Sequence, residues 1–245
     1  MRTRFDEVTK QIVGATIQPG GEVALEHHVV GPGLDVDVWF QLDPARIGAL
    51  DRAGLLGRIA AAGSCLIEPY RNTPGLAQMQ SCVCKQHMVH HLTARSSDSS
   101  PAPASPMTRL WIISSGRPTT VLDTYGLVPM AGWPTGCYQA PVAIDARHVV
   151  VARELPATRD TLLVRLLGRG ATFQRALAEL EALPDHAWEK QLAIPVLIDF
   201  SFTIPKDQED KDMQNLLQRL AGAGVEFAIV GGYAGIVHGC TYVTQ

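Results

Sequence analysis

The stretch 34–72 constrains the fold more than any other part of this chain. It begins LDVDVWFQLDP, continues through an amphipathic segment and closes on SCLIEPYRN. In the first piece Leu34, Val36, Val38 and Phe40 alternate with Asp35, Asp37, Trp39 and Gln41. A period of two is a strand's period, so the pattern predicts a strand with both aspartates on one face and the apolar residues on the other. The second piece, 64–68, is a short apolar run of the kind a strand buried on both faces shows. Pro69 lacks a backbone donor and holds Glu68 extended, so this strand is expected to end there. A carboxylate is left at the end of a buried strand, beside a strand that carries two more. Asp35, Asp37 and Glu68 are therefore candidate metal ligands.

The rest of the chain reads as scaffold around that pair. A strand is expected over 22–30, turned by Gly31-Pro32-Gly33 into the aspartate strand, and Glu22 or Glu26 is a further acidic candidate. Asp43 is placed to cap a helix that starts at Pro44 and runs to about Ala62. A second helix is expected over 73–94, followed by a Ser/Pro/Ala-rich insertion, 96–107, read as a flexible loop. Strands are expected over 109–114, 136–140 and 148–152, with helices over 119–125, 158–168 and 172–183. This order predicts an α/β (α+β) layered domain over 1–200. A charged junction, 201–212, separates it from a helix–strand–helix segment, 213–245.

Composition narrows the setting. The net charge is −3, so any contact with nucleic acid must come from a local basic patch. No apolar run approaches the ~18 residues that cross a bilayer, so no membrane partner is expected. Five cysteines, an odd number without disulfide spacing, suit a reducing cytoplasm. Cys84, His87 and His91 share a helical face, but no CxxC supplies a second ligand pair, so zinc is not expected.

The strand acids of DVDVWF and LIEPYRN, with the helix that contains SCVCK, resemble the PD-(D/E)xK nuclease superfamily. Within it they resemble the recombination-promoting nuclease or transposase-like bacterial proteins. The resemblance covers about 20–190 and implies a restriction-endonuclease-like mixed sheet flanked by helices. It implies Mg²⁺ held by Asp37 or Asp35 with Glu68, and DNA as the partner, with a homodimer as a further assembly. The sequence departs from the family where a lysine should follow the glutamate: that slot is Tyr70, with Arg71 next. An arginine clamps phosphate but stays protonated, so Arg71 cannot act as a general base. Lys85 is the substitute, on one helical face with Cys82, Val89 and Leu92.

At the other end, LLQRLAGAGVEFAIVGGYAGIVHG resembles the opening of polymerase-β-like nucleotidyltransferases of the toxin and phage-defence type. Gly231 and Gly232 match the turn that lets phosphates approach a helix N-terminus. The acidic pair that resemblance requires is missing from 233–245, so the segment is expected to be truncated and inactive. Three functions follow as expectations. The first is a metal-dependent DNA endonuclease, active or decayed, with a vestigial nucleotidyltransferase piece. The second is a non-catalytic interaction or remnant protein of a mobile or defence locus. The third is a nucleotidyltransferase cut short before its catalytic pair.

Overall fold

A computed structural model describes residues 4–28, 35–96, 107–142 and 145–203. The segment 213–245, with Gly231 and Gly232, lies outside the described residues, as do most of the expected insertion and junction. Seven strands form one mixed sheet flanked by helices. In chain order they are β1 (Gly21–His28), β2 (Asp35–Leu42), β3 (Cys65–Tyr70), β4 (Arg109–Ser114), β5 (Val128–Pro129), β6 (Cys137–Gln139) and β7 (Arg147–Val151). Across the sheet the order is β1-β2-β3-β4-β7-β6-β5. The pairs β1–β2 and β2–β3 are antiparallel, β3–β4 and β4–β7 are parallel, and β7–β6 and β6–β5 are antiparallel again. A parallel pair needs a crossover, and α3 (Leu76–Ser96) supplies it between β3 and β4.

Two apolar clusters sit on the two sides of the sheet. On one, Phe40, Ile67, Trp111, Ile113 and Val150 pack with α1 (Arg4–Ile17), α2 (Gly54–Ala61), α5 (Leu162–Arg165), α6 (Ala171–Ala182) and α7 (Trp188–Thr203). On the other, Trp39, Leu66, Ile112 and Val149 meet α3 and α4 (Thr119–Thr124). Burying each large apolar side chain contributes on the order of 1.5–3 kcal/mol, so helices on both faces are what a sheet apolar on both faces requires.

Three expectations need correction. The strand that carries Glu68 continues through Pro69 to Tyr70. Pairing with β2 stops at Val38↔Ile67, while pairing with β4 runs on to Tyr70↔Ser114, where the Ser115 amide donates to the Tyr70 carbonyl. Backbone groups alternate sides along a strand, so the donor Pro69 lacks would point toward β2, which has already diverged. The proline therefore costs the ladder nothing.

The alternation of β2 also slips once, because Val36 joins the α3-side cluster and Val38 the opposite one. Trp39, expected on the polar face, is buried. Finally, the helix over 44–62 is two pieces, a 3₁₀ helix Pro44–Ala53 and then α2. Asp43 caps the first by accepting from the Ala45 amide. The break falls at Gly54, with φ of +56° and no room for a β-carbon beside the Asp160 carbonyl oxygen.

Candidate functional site

The parting of β2 and β3 creates the site. Register carried one step past Val38↔Ile67 would set Asp37 opposite Glu68. Where that pairing is lost, the Asp37 amide donates to Glu68 Oε1 at 3.3 Å. From α3, Lys85 Nζ reaches both Glu68 oxygens, at 3.0 and 2.8 Å. The three residues singled out in the sequence thus meet: Asp37, Glu68 and Lys85. Glu68 is 1% exposed and Lys85 12%.

On the β1 side, register places Glu26 opposite Asp37, between Leu25↔Val38 and His27↔Val36. Glu26 has φ of +52°, a left-handed conformation that costs a non-glycine residue about 1–3 kcal/mol. Lys10 of α1 stands between the two acids, 3.0 Å from Glu26 Oε1 and 3.0 Å from Asp37 Oδ1. Lys10 is 1% exposed, so its charge is retained only because these partners are there. Burial alone would lower its pKa, but the hydrogen bonds and charges of Asp37 and Glu26 outweigh that and hold it above the ordinary lysine value. Reasoning from sequence named Glu26 and missed Lys10. A signal existed: Lys10 precedes Val13 by three and Ile17 by seven, which places it on the apolar stripe of its helix.

Glu68 has the most perturbed carboxyl of the group. Burial raises its pKa, the Lys85 charge pulls it back and the Asp37 charge pushes it up again, leaving it at about 7. It is therefore poised to exchange a proton near neutrality. Tyr70, in the slot where the family resemblance expects lysine, shares a hydrogen bond with Cys82 Sγ at 3.2 Å. Burial, with Cys82 and the nearby carboxylates, lifts its phenol well above the ordinary range, so Tyr70 stays neutral and cannot supply a lysine's positive charge.

The remaining candidates lie apart. Asp35 begins β2 opposite His28. Arg71 lines a cavity beyond the end of β3 with Asn72, Thr73, Ser115 and Gly116. Cys84, His87 and His91 are exposed on α3. Cys65 and Cys137 are buried thiols pushed up to about 12 by that burial, which leaves them unreactive.

Among the described residues, no group of three or more His, Cys, Asp or Glu side chains could hold a metal ion. Any ion would rest on two carboxylates, Asp37 and Glu68, with water completing its shell. That donor set fits Mg²⁺, which is commonly bound through one or two carboxylates and keeps several waters. No described helix is long and apolar enough to cross a membrane. Comparison with family models, curated proteins and solved structures finds no match.

Proposed function

We infer that the chain is a metal-dependent phosphodiester hydrolase acting on DNA, built on a restriction-endonuclease-like sheet. One observation carries this reading: Glu68, at the point where two strands part, holds Lys85 at 2.8 Å and the Asp37 amide at 3.3 Å. Two strand carboxylates and a lysine is the set the nuclease resemblance calls for, with the lysine delivered from a helix rather than from the strand. Mg²⁺ bound there would polarise the phosphoryl group. Asp37 and Glu68 would hold it, and Lys85 would stabilise negative charge as it develops.

The test is cleavage of single- and double-stranded DNA with Mg²⁺ or Mn²⁺ by wild type, Asp37→Ala and Glu68→Ala. Cutting that needs metal and is lost in both variants supports the reading. Absence of cutting by folded wild type overturns it.

A second reading draws on Lys10. Its two ion pairs close a network in which each strand carboxylate already has a cationic partner. Such a network can serve as a structural clamp in a non-catalytic protein, and a folded, inactive wild type would favour it. A nucleotidyltransferase-like segment at 213–245 remains part of the proposal, carried by the resemblance of LLQRLAGAGVEFAIVGGYAGIVHG with its Gly231-Gly232 turn.

A further inference from the structure

A second cavity of about 490 Å³ opens at the carboxyl end of the strand that carries Glu68. Arg71, Arg153 and Arg169 line it, together with Ser115, Gly116 and Thr172. No Asp or Glu is among the described residues that line it. Three elements deliver the arginines: the turn after β3, the segment after β7, and the Gly168-Arg169-Gly170 break before α6. Arg169 is oriented by donating to Asn72 Oδ1 at 2.5 Å, across ninety-seven residues of chain.

A β-carbon at Gly116 would come 2.3 Å from Thr73 Oγ1, so the two loops approach each other closely there. The first turn of α6, twelve residues long, adds Ala171 and Thr172, and its N-cap is Gly170, which offers no side chain to the first amides. The Thr172 amide already donates to the Arg169 carbonyl at 3.2 Å, so the three guanidinium groups are what the cavity offers an anion. This placement, outside the carboxyl ends of the parallel strands β3, β4 and β7, is where open α/β sheets bind ligands.

We propose that this cavity is a phosphate-binding site, with Arg71, Arg153 and Arg169 as its cationic ligands. The chemistry is shared by a phosphodiester of a nucleic-acid strand and by a small phosphorylated molecule. The strand is the favoured source because Arg71 lies three residues beyond Glu68 along the chain, on the order of 10 Å. That preference rests on the nuclease reading, but the site does not. Binding is measured without metal, so cleavage and binding fail or succeed separately.

The experiment uses the full chain in EDTA and follows the anisotropy of a fluorescein-labelled single DNA strand. A parallel melt with inorganic phosphate covers the small-molecule source. Wild type is compared with the double variant Arg153→Ala/Arg169→Ala and with Arg52→Ala, an exposed arginine outside the cavity. The expected result is a loss of roughly tenfold or more in strand affinity for the double variant. The slope of log affinity against log salt should become shallower by about 1.4, roughly 0.7 per arginine on a single strand, and Arg52→Ala should match wild type. Phosphate-induced stabilisation that vanishes in the double variant, without strand binding, supports the site and assigns it to a small phosphorylated molecule. If the double variant does not fold, the exposed Arg153→Ala alone carries the test, with a slope change of about 0.7. Neither probe bound, or both bound equally by wild type and variant, overturns the proposal.

Discussion

Glu68 sets the chemistry at the scale of single residues. Its folded pKa, about 7, stands above the ordinary carboxyl value of 4.5, so between these values the folded chain keeps a proton that the unfolded chain releases. Its contribution to stability is complete below pH 4.5 and is lost as pH rises through 7. His148 works in the opposite sense. Burial holds its imidazole neutral and lowers it from 6.5 to about 4, so its contribution is present above 6.5 and lost as pH falls through 4. A difference measurement separates them. Unfolding wild type and Glu68→Gln in urea at pH 5 and pH 8 should show wild type losing roughly 1–3 kcal/mol more than the variant between the two. Equal losses would mean that Glu68 ionises as an ordinary carboxyl.

Lysine placement gives a second prediction at this scale. Lys85→Met should lower the rate of DNA cleavage by about 10²–10³-fold, the usual cost of one preorganised electrostatic group. Tyr70→Lys in that background returns a lysine to the strand slot two residues after Glu68, and should recover part of the rate. A fall in rate with no recovery would show that only the helix-borne geometry works.

Among the elements, the parting of β2 from β3 was the part the sequence could not show. Period-two alternation located both strands and the residue types of the site. The slip between Val36 and Val38 depends on which helix each valine meets, and that is decided by packing across the sheet. The same holds for Pro69, whose tolerance follows from where its neighbour strand ends. Tertiary partners likewise decide Lys10, which sequence spacing alone would have placed on an apolar stripe without naming its acids. Lys10→Met should destabilise the chain by about 1–3 kcal/mol, since Asp37, 18% exposed, loses its cationic partner while the half-exposed Glu26 is left to solvent. A denaturant midpoint near wild type would contradict the clamp role.

A comparable pair ties α5 to α6. Arg165, 4% exposed, donates at 2.8 and 2.5 Å to the two oxygens of Glu179 and also to the Thr158 carbonyl. Arg165→Ala should cost about 2–4 kcal/mol, read from the same denaturant series, because Glu179 and the Thr158 carbonyl lose their partner.

At the scale of the whole molecule, a seven-stranded mixed sheet between two helical layers brings strands and helices distant in sequence to one point. The layered α/β class was legible because strand-like and helix-like periods alternate along the chain. α7 was not: apolar residues run nearly without a gap over 192–200 and Pro195 interrupts them, so no helical stripe stands out. Yet Ala193, Ile194 and Leu197 are buried in the α1-side core, and the helix runs to Thr203, past the expected domain boundary at 200.

The proposed nuclease stands or falls on Asp37 and Glu68 as a metal site that Lys85 completes. Titrating Mn²⁺ into the full chain, followed by electron paramagnetic resonance, tests it without requiring turnover. Binding at pH 8 is expected, weakened about tenfold or more in both Asp37→Asn and Glu68→Gln. Wild-type binding should also fade as pH falls below about 7, where Glu68 takes up its proton. Mn²⁺ binding that is absent, or that survives both substitutions unchanged, would contradict the metal site.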